Sequence, residues 1–406
     1  MKSRARLIAL LSSLTAFVPF SIDTYLPSLP QIARDLSGSA AQVQHTISAF
    51  LLGLCLGMLF YGPLSDRYGR RPLLLGSLVV YGVATLGCLF ADSVEHLIAW
   101  RFLQAIGGAG ALILARAIAR DLFGLTQAAK VLSWMHLLTM MATLVAPMIG
   151  TWLVLIQGWR TIFAALFMLS SLCLIMVTFG LKESLAPRAN GASVKGAFAA
   201  YLAIARQPRA VALIGCMALS FGGMFAFITA SPFVYVVFFG VSPRTFSGLF
   251  ALNILGIIVV TLINARWVGR FGPQRMLAVG AVLAGAAGAA MLLIGFTQWG
   301  GLWPIVGCTV MYMGVTGLLG ANCTASLMAM FPHQAGASIA LGVSVQFAVG
   351  ALASLWVSYL ADGTSWPMCL VMGICGLGCL VACGFSTRTP IEPGIAGDDA
   401  CVPFQP

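Results

Sequence analysis

The stretch GPLSDRYGRRPLLL, residues 62–75, places four charged side chains within six positions, between two long apolar runs. The run before it covers residues 43–63, and the run after it covers residues 73–91. A helix of about 20 apolar residues crosses the roughly 30 Å hydrocarbon core of a bilayer. The stretch therefore indicates a polar loop that joins two membrane-spanning helices.

The rest of the chain repeats this alternation of apolar runs and short polar loops. Of its 406 residues, 60% are hydrophobic and only 8% are charged, which is the balance of a membrane protein. Runs of about 20 apolar residues predict twelve transmembrane helices. They cover residues 7–30, 43–63, 73–91, 94–115, 131–156, 159–181, 210–237, 245–265, 276–297, 302–328, 338–360 and 366–385.

The basic residues predict the orientation of these helices. An even number of spans puts both termini on one side, and of the 22 Lys and Arg residues only Arg34, Arg101, Arg160 and Arg244 lie toward the other side. Because basic residues concentrate in cytoplasmic loops, we expect both termini in the cytoplasm. The same bias accounts for the net charge of +11, so we expect no nucleic-acid partner.

A faint internal repeat divides the chain into halves. The segment GRFGPQRMLA, from Gly269, resembles DRYGRRPLLL, from Asp66, and starts 203 positions later, half of the chain length. The fold class predicted is an all-α membrane protein of two pseudo-symmetric six-helix bundles, residues 1–181 and 210–387. Residues 182–209 form the only long polar stretch, which predicts a cytoplasmic linker, and residues 388–406 a short cytoplasmic tail.

Three stretches resemble motifs of the major facilitator superfamily. Residues 62–75 resemble the loop motif G-x-x-x-D-R-x-G-R-[RK]-x, and RFLQAIGGAG, from Arg101, resembles the fourth-helix motif R-x-x-Q-G-x-G, with Ala105 at the first glycine. ATLVAPMIGTW, from Ala142, resembles the fifth-helix antiporter motif G-x-x-x-G-P-x-x-G-G. The stretches SIDTYLPSLP and FALNILGIIVVTLINARW are similar to the bicyclomycin-resistance and chloramphenicol-efflux (Bcr/CflA) subfamily. The resemblance covers essentially the whole chain.

This resemblance implies a proton-coupled exporter (antiporter) of small amphipathic compounds such as antibiotics, working by alternating access. It also implies a location in the bacterial cytoplasmic (inner) membrane. The expected partners are a small-molecule substrate, protons and the lipid bilayer, with no cofactor and a monomeric state. Alternatives are a proton-coupled importer or a metabolite exporter of the same fold. An enzyme is not expected, since the four histidines lie near different helix ends.

Two opposite charges inside the apolar runs are the candidates for proton coupling. Asp23 lies seven residues before Pro30, and Arg101 lies seven residues after Val94, or roughly 10 Å into their helices. The first and fourth helices line the cavity in this superfamily. An isolated charge at such depth is costly, so pairing or access to water is expected. Burial disfavours charged Asp23 and a neighbouring Arg101 favours it, which predicts that Asp23 carries the proton.

Residues with polar or aromatic side chains on the expected cavity helices are the candidates for substrate binding. Phenylalanine and methionine supply adaptable apolar walls, and amides orient a ligand. The predicted set is Tyr25, Gln104, Phe221, Phe225, Asn253 and Asn322. For Arg116 we expect the side chain to reach cytoplasmic water.

The loop motif predicts a conformational latch. Gly62 allows close helix approach, Gly69 supplies a turn, and Arg67 and Arg70 keep the loop in the cytoplasm. The resemblance implies that Asp66 stabilises the outward-open state by pairing across the interface between the halves. Arg120 is the expected partner of Asp66.

In the fifth helix, Ala146, Pro147 and Gly150 form the antiporter motif. Small residues predict close helix packing, and proline predicts a bend. The eleven cysteines lie almost entirely in apolar runs, which favours packing over disulfides. Cys375, Cys379 and Cys383 share one helix face, an alternative soft-metal site, but no metal is expected.

Overall fold

The computed structural model describes residues 2–185 and 194–388, and all regular structure in this part of the chain is helical. Within these ranges twelve helices are long and apolar enough to cross a membrane, and each overlaps one predicted run. This confirms the predicted all-α membrane fold. The first to twelfth spans are Arg6–Asp35, Ala40–Tyr68, Arg70–Leu89, Val94–Phe123, Lys130–Gln157, Arg160–Gly180, Pro208–Phe238, Pro243–Phe271, Pro273–Thr297, Leu302–Met330, Pro332–Tyr359 and Trp366–Thr387.

Several spans are composite. The first consists of the helix Lys2–Asp23, the 3-10 turn Leu26–Ser28 and the helix Leu29–Asp35. The seventh continues from the α-helix Pro208–Ser231 into a π-helical turn, Pro232–Phe238. Proline at the start of that turn supplies no N–H, which favours the change of hydrogen-bond pattern there.

The fourth and fifth spans belong to one helical element, Val94–Gln157. Both of its ends lie near the loop after the first span. A Cβ on Gly38 would lie 2.6 Å from the Val94 side chain, and Trp159 donates to Asp35 over 3.1 Å. Since the ends meet, the element reverses direction between the two spans.

Small residues bring the helices of each half together. In the first half, a Cβ on Gly57 would lie 2.4 Å from that of Ala109, joining the second and fourth spans. In the second half, a Cβ on Gly373 would lie 2.9 Å from the carbonyl oxygen of Gly288, joining the twelfth and ninth spans. Apolar helices associate in lipid by such close packing, because lipid tails remove the hydrophobic driving force.

The two halves contact each other near one side of the bundle. We call the side on which residues 2 and 388 lie the terminal face and the opposite side the far face. Ser48 donates to the Ser354 hydroxyl over 2.7 Å, joining the second and eleventh spans. The Thr151 and Ser247 hydroxyls lie 2.9 Å apart, joining the fifth and eighth. All four residues lie in the far-face half of their spans, so these bonds close the far face.

The linker contains a short helix, Val194–Ala205, that lies against the second span on the terminal face. Phe198 packs on Phe60 with ring centroids 5.6 Å apart, and Tyr201 donates to the Leu59 carbonyl over 3.5 Å. The predicted tail, apart from residue 388, and residues 186–193 of the linker lie outside the described residues.

Candidate functional site

Asp23 stands at a break in the first span. The helical segment Lys2–Asp23 ends there, and the 3-10 turn Leu26–Ser28 follows. Pro27 comes four positions after Asp23, and its nitrogen has no hydrogen to donate to the Asp23 carbonyl. The local sequence therefore ends the helix at the acid.

The Asp23 carboxylate is buried and unpaired. Its residue is 5% exposed, and within the described part of the chain its carboxylate has no hydrogen bond and no ion pair. Residues that are exposed or partly exposed lead toward it from the terminal face at intervals of three or four, namely Ala9, Ser13, Ala16 and Phe20. Such intervals mark one helix face, so Asp23 lies at the inner end of an accessible stripe.

Arg101 is fully buried, and aromatic rings surround its guanidinium group. The guanidinium carbon lies 4.3 Å from the ring centroid of Phe50, 4.6 Å from that of Tyr25 and 5.9 Å from that of Phe163. Cations are attracted to aromatic faces at such distances. We call Tyr25, Phe50 and Phe163 the aromatic cage.

One hydrogen-bond chain leads out of this cage. Arg101 Nη1 donates to the Gln104 side-chain oxygen over 2.7 Å, and Gln104 Nε2 donates to Thr85 over 2.8 Å. The Tyr25 hydroxyl lies 3.0 Å from that of Thr46. Arg101 Nε and Nη2 have no hydrogen-bond partner among the described residues.

Asp23 and Arg101 therefore do not form an ion pair in this structure, although the sequence puts them at one depth. The first span continues past Pro30 to Asp35, so Asp23 lies 12 residues from its end rather than seven. Arg101 instead contacts Tyr25, two positions after Asp23. Residues two apart on a helix point to nearly opposite sides. The Tyr25 ring therefore faces Arg101, and the Asp23 carboxylate points away from it.

The predicted substrate-binding residues fall into separate groups. Tyr25 and Gln104 are fully buried and contact Arg101. Phe221 and Phe225 have ring centroids 4.9 Å apart, and Phe221 packs edge-on against Phe347 at 5.2 Å. A Cβ on Gly350 would lie within 3.6 Å of both Phe221 and Leu51 of the first half, so these rings lie at the interface between the halves. The structure does not gather all six residues into one pocket.

The two asparagines differ. Asn253 donates to its own helix at the Leu249 carbonyl, and its side-chain oxygen has no partner among the described residues. Asn322 donates to the Asn264 side-chain oxygen over 2.8 Å, which joins the tenth and eighth spans. Asn322 thus contributes to helix packing here, with a partner that the sequence pattern did not single out.

The antiporter motif contacts both the first span and the other half. A Cβ on Gly150 would lie 2.0 Å from the Thr24 carbonyl oxygen, so glycine lets the fifth span press against the chain beside Asp23. The Pro147 carbonyl accepts hydrogen bonds from Thr151, at 2.9 Å, and from Ser247 of the eighth span, at 3.3 Å. Ala146 is fully buried. The motif therefore connects the region around Asp23 to the contact that closes the far face.

In the loop motif, Asp66 pairs with Arg70 rather than with the expected Arg120. The Arg70 guanidinium lies 2.5 Å from Asp66 and 3.1 Å from Asp121, and it also donates to Ser65. Arg120 is exposed. The correction has a geometric reason, because Arg70 follows Asp66 at i+4 across the turn and reaches it locally.

A further expectation for this motif, that Gly62 allows close helix approach, is wrong. A Cβ on Gly62 would meet no atom within 4 Å, so this glycine does not serve a close helix approach here. Arg67 is exposed and lies over the Tyr68 ring at 5.3 Å. Gly69 does supply the turn, with a φ of 95° that favours glycine.

Glu183, which the sequence did not single out, caps the helix that follows this turn. Its carboxylate accepts the backbone N–H groups of Arg70, at 3.0 Å, and Arg71, at 3.1 Å. A Cβ on Gly69 would lie 2.7 Å from the same carboxylate. Partial burial raises the pKa of Glu183, but backbone hydrogen bonds outweigh it and hold the pKa below its usual value.

Other polar groups lie apart from Asp23. Arg116 is exposed, and it is close enough to His136 of the fifth span for an electrostatic interaction. Cys379 lies 3.4 Å from Cys216, sulfur to sulfur. No group of three or more His, Cys, Asp or Glu residues within the described ranges is arranged to hold a metal ion.

A small crevice opens at the far face between the second, seventh, eleventh and twelfth spans. Its volume is about 100 Å³, and Gln44, Phe233, Val357 and Met368 are among the residues that line it. Sites for drug-sized ligands enclose roughly 300–1,000 Å³. The crevice is too small for such a ligand, and neither Asp23 nor Arg101 lines it.

Comparisons with known proteins agree with this architecture. The pattern of the Major Facilitator Superfamily matches residues 11–354. A bicyclomycin resistance protein homolog of Haemophilus influenzae is 33% identical over 393 residues, covering 96% of this chain and 98% of the relative. A chloramphenicol resistance protein of Pseudomonas aeruginosa is 28% identical over 391 residues, covering 93% and 91%.

A solved structure shares the fold. The crystal structure of a D-xylose-proton symporter superposes with a TM-score of 0.70 at 17% identity, covering 94% of this chain and 97% of that one. Family and relatives indicate a transporter rather than an enzyme. The chain therefore belongs to the major facilitator superfamily, in its bicyclomycin-resistance and chloramphenicol-efflux subfamily.

Proposed function

We propose that this transporter is a proton-coupled exporter of small amphipathic compounds such as antibiotics. It acts in the bacterial cytoplasmic (inner) membrane as a monomer, with both termini in the cytoplasm. The basic residues on the terminal face support this orientation. The names of the resistance proteins to which the chain is similar support a drug as substrate. The proton gradient supplies the driving force without a cofactor.

The observation that carries the proposal is the unpaired carboxylate of Asp23. Within the described residues it is the only buried carboxylate, and it lies at a helix break beside an accessible stripe. An ionisable group in a membrane span is retained at a cost and marks a pathway for ions or substrate. We assign the proton to this carboxylate.

The energy of one proton is sufficient for drug export. At roughly 100 mV and one pH unit, an inward proton supplies about 2.3 plus 1.4, or about 3.7 kcal/mol. That energy sustains a several-hundred-fold gradient of a neutral drug. A single carrier therefore meets the requirement, and we propose one proton per cycle.

We propose that transport works by alternating access, and the contacts between the halves support this proposal. With the far face closed by the Ser48–Ser354 and Thr151–Ser247 contacts, Asp23 faces the terminal side, where it releases its proton and the drug enters. The movement that carries the drug outward breaks these contacts and exposes the drug and the Asp23 carboxylate to the far side. In that state we propose that Asp66 leaves Arg70 and pairs across the interface between the halves, as the family resemblance implies. Each contact is a neutral hydrogen bond worth about 1 kcal/mol, so both states remain accessible.

The test is transport by purified protein in liposomes with an imposed pH gradient. Labelled chloramphenicol, and then bicyclomycin, is followed in wild type, in Asp23→Asn and in the matched control Glu95→Gln, whose carboxylate is exposed. Wild type and control should concentrate drug against the direction of proton flow. Asp23→Asn should lose this while keeping exchange of drug at equal concentrations.

Two outcomes decide against the proposal. Drug that moves in the same direction as protons identifies an importer of the same fold. Concentrative transport by Asp23→Asn shows that the proton carrier lies elsewhere.

A further inference from the structure

Arg101 poses an energetic problem that its hydrogen bonds do not solve. It is fully buried, one of its nitrogens is hydrogen-bonded to Gln104, and Nε and Nη2 have no partner among the described residues. A buried charge without its counter-charge is strongly destabilising. Something else must stabilise the guanidinium in this conformation.

The aromatic cage supplies that stabilisation from three different spans. Tyr25 comes from the first span, Phe50 from the second and Phe163 from the sixth, and all three are fully buried. Cation–π attraction is strongest where water is excluded, as it is here. The rings also pack on each other, with Tyr25 and Phe163 centroids 5.7 Å apart, which fixes their faces.

Among the described groups, Asp23 is the one partner with which Arg101 could form a buried ion pair. The titratable groups that interact with Arg101 are Tyr25 of the first span and Tyr81 and Cys88 of the third, all neutral near pH 7. The second, fourth and sixth spans present Phe50, Gln104 and Phe163. Asp23 is the only buried carboxylate of the described residues, and it lies two positions from the cage residue Tyr25.

We propose that the aromatic cage is a resting site for the Arg101 guanidinium, which alternates between the cage and the Asp23 carboxylate during the cycle. Tyr25, Phe50 and Phe163 are positioning residues that act through Arg101. By stabilising Arg101 without a carboxylate, the cage lets Asp23 take up a proton while Arg101 stays charged. The inference rests on the proposed function only in taking Asp23 as the proton carrier.

This exchange predicts how the rings influence Asp23. Removing a ring destabilises the cage-bound state, so Arg101 spends more time beside Asp23 and favours the charged carboxylate. The pH at which Asp23 is half-protonated should then fall by about half a unit for each ring lost. A ring with only a packing role would not move this midpoint.

The experiment measures the protonation of Asp23 directly and needs no drug. Infrared difference spectra of the purified full chain across pH report the protonated carboxyl band, with the Asp23→Asn spectrum as the assignment. The variants are Phe50→Leu and Phe163→Leu, with Phe50→Trp to restore an aromatic face. Phe250→Leu is the matched control, since Phe250 is equally buried and packs on Phe227 in the other half.

The expected result is a midpoint at lower pH in both leucine variants, recovery in Phe50→Trp and no change in Phe250→Leu. Fluorinated phenylalanine at position 50 should give a graded shift with unchanged shape, which guards against a leucine variant that fails to fold. Unchanged midpoints, a shift to higher pH, or an equal shift in Phe250→Leu would overturn the proposal. Failure of drug transport by wild type would instead affect the proposed function alone.

Discussion

The two halves share one helical plan but differ in the charges they bury. In the described part of the chain, the buried charged side chains are Asp23, Arg70 and Arg101, all in the first half. Among its described residues the second half buries uncharged polar groups only, including Asn253, Asn264 and Asn322. This difference restricts the proposed proton carrier to the first half, and the buried polar groups of the second half are uncharged.

The loops related by the internal repeat differ in the same way. Gly69 and Gly272 both have positive φ, at 95° and 77°, so both need glycine for the turn. Glu183 and the Arg70 ion pairs surround the first loop, whereas a Cβ on Gly272 would meet no atom within 4 Å. The repeated sequence preserves the turn, and the first half adds an electrostatic support to it.

The largest expected effect contrasts one buried polar residue from each half. Arg101→Leu should reduce the proposed proton-driven transport about 100-fold, because among the described residues it removes the only buried cation of the region around Asp23. Asn322→Leu removes a neutral hydrogen bond to Asn264 and should cost about 1 kcal/mol of stability, with transport reduced no more than several-fold. Transport in everted vesicles, scaled to folded protein, measures both. An equal loss of transport in the two variants would contradict the expected difference between the halves.

A smaller effect is expected from close packing beside Asp23. Gly150→Ala places a methyl group on the Thr24 carbonyl and should cost about 1–3 kcal/mol, because backbone cannot move aside as a side chain does. The control Gly248→Ala, in the second half, adds a methyl group where no atom lies within 4 Å. Thermal unfolding in detergent should separate the two variants. If they unfold at the same temperature, the first and fifth spans are not in tight contact.

The smallest effect concerns Glu183. Glu183→Gln should lower stability by about 0.5–1 kcal/mol, since the site is exposed and water screens the carboxylate. The folded-state pKa of Glu183 is depressed, so its contribution is present above the unfolded pKa of about 4.3 and is lost as pH falls through the folded value. The gap between wild type and variant should close in this acid range. A gap that persists there would show that charge is not the source.

Sequence patterns predicted the transmembrane helices well, because in lipid each helix can be identified from its own residues. Every backbone group in a span must be satisfied within its own helix, so a run of apolar residues is sufficient to predict the helix. The break beside Asp23 also has a local cause, the missing N–H of Pro27, although the apolar pattern predicted residues 7–30 as one run. Such features depend on residues that are neighbours along the chain.

Contacts between spans were not predictable in the same way. The cage around Arg101 joins residues 25, 50 and 163, and the cap on the third span joins residues 70 and 183. The pairing of Asn264 with Asn322 and of Thr151 with Ser247 also spans long separations. No local pattern marks these partners, since which face of a helix meets which neighbour depends on the packing of the whole bundle.

The sequence by itself determined the twelve spans, the two halves and the presence of one acid and one base inside the first half. Hydrophobic length and charge distribution suffice for that, because transfer into lipid is a property of each segment. Only the tertiary structure decided that Arg101 turns to aromatic rings while Asp23 remains unpaired. Side-chain direction changes by about 100° per residue along a helix. Asp23 and Tyr25, two positions apart, therefore point in nearly opposite directions, and only Tyr25 contacts Arg101.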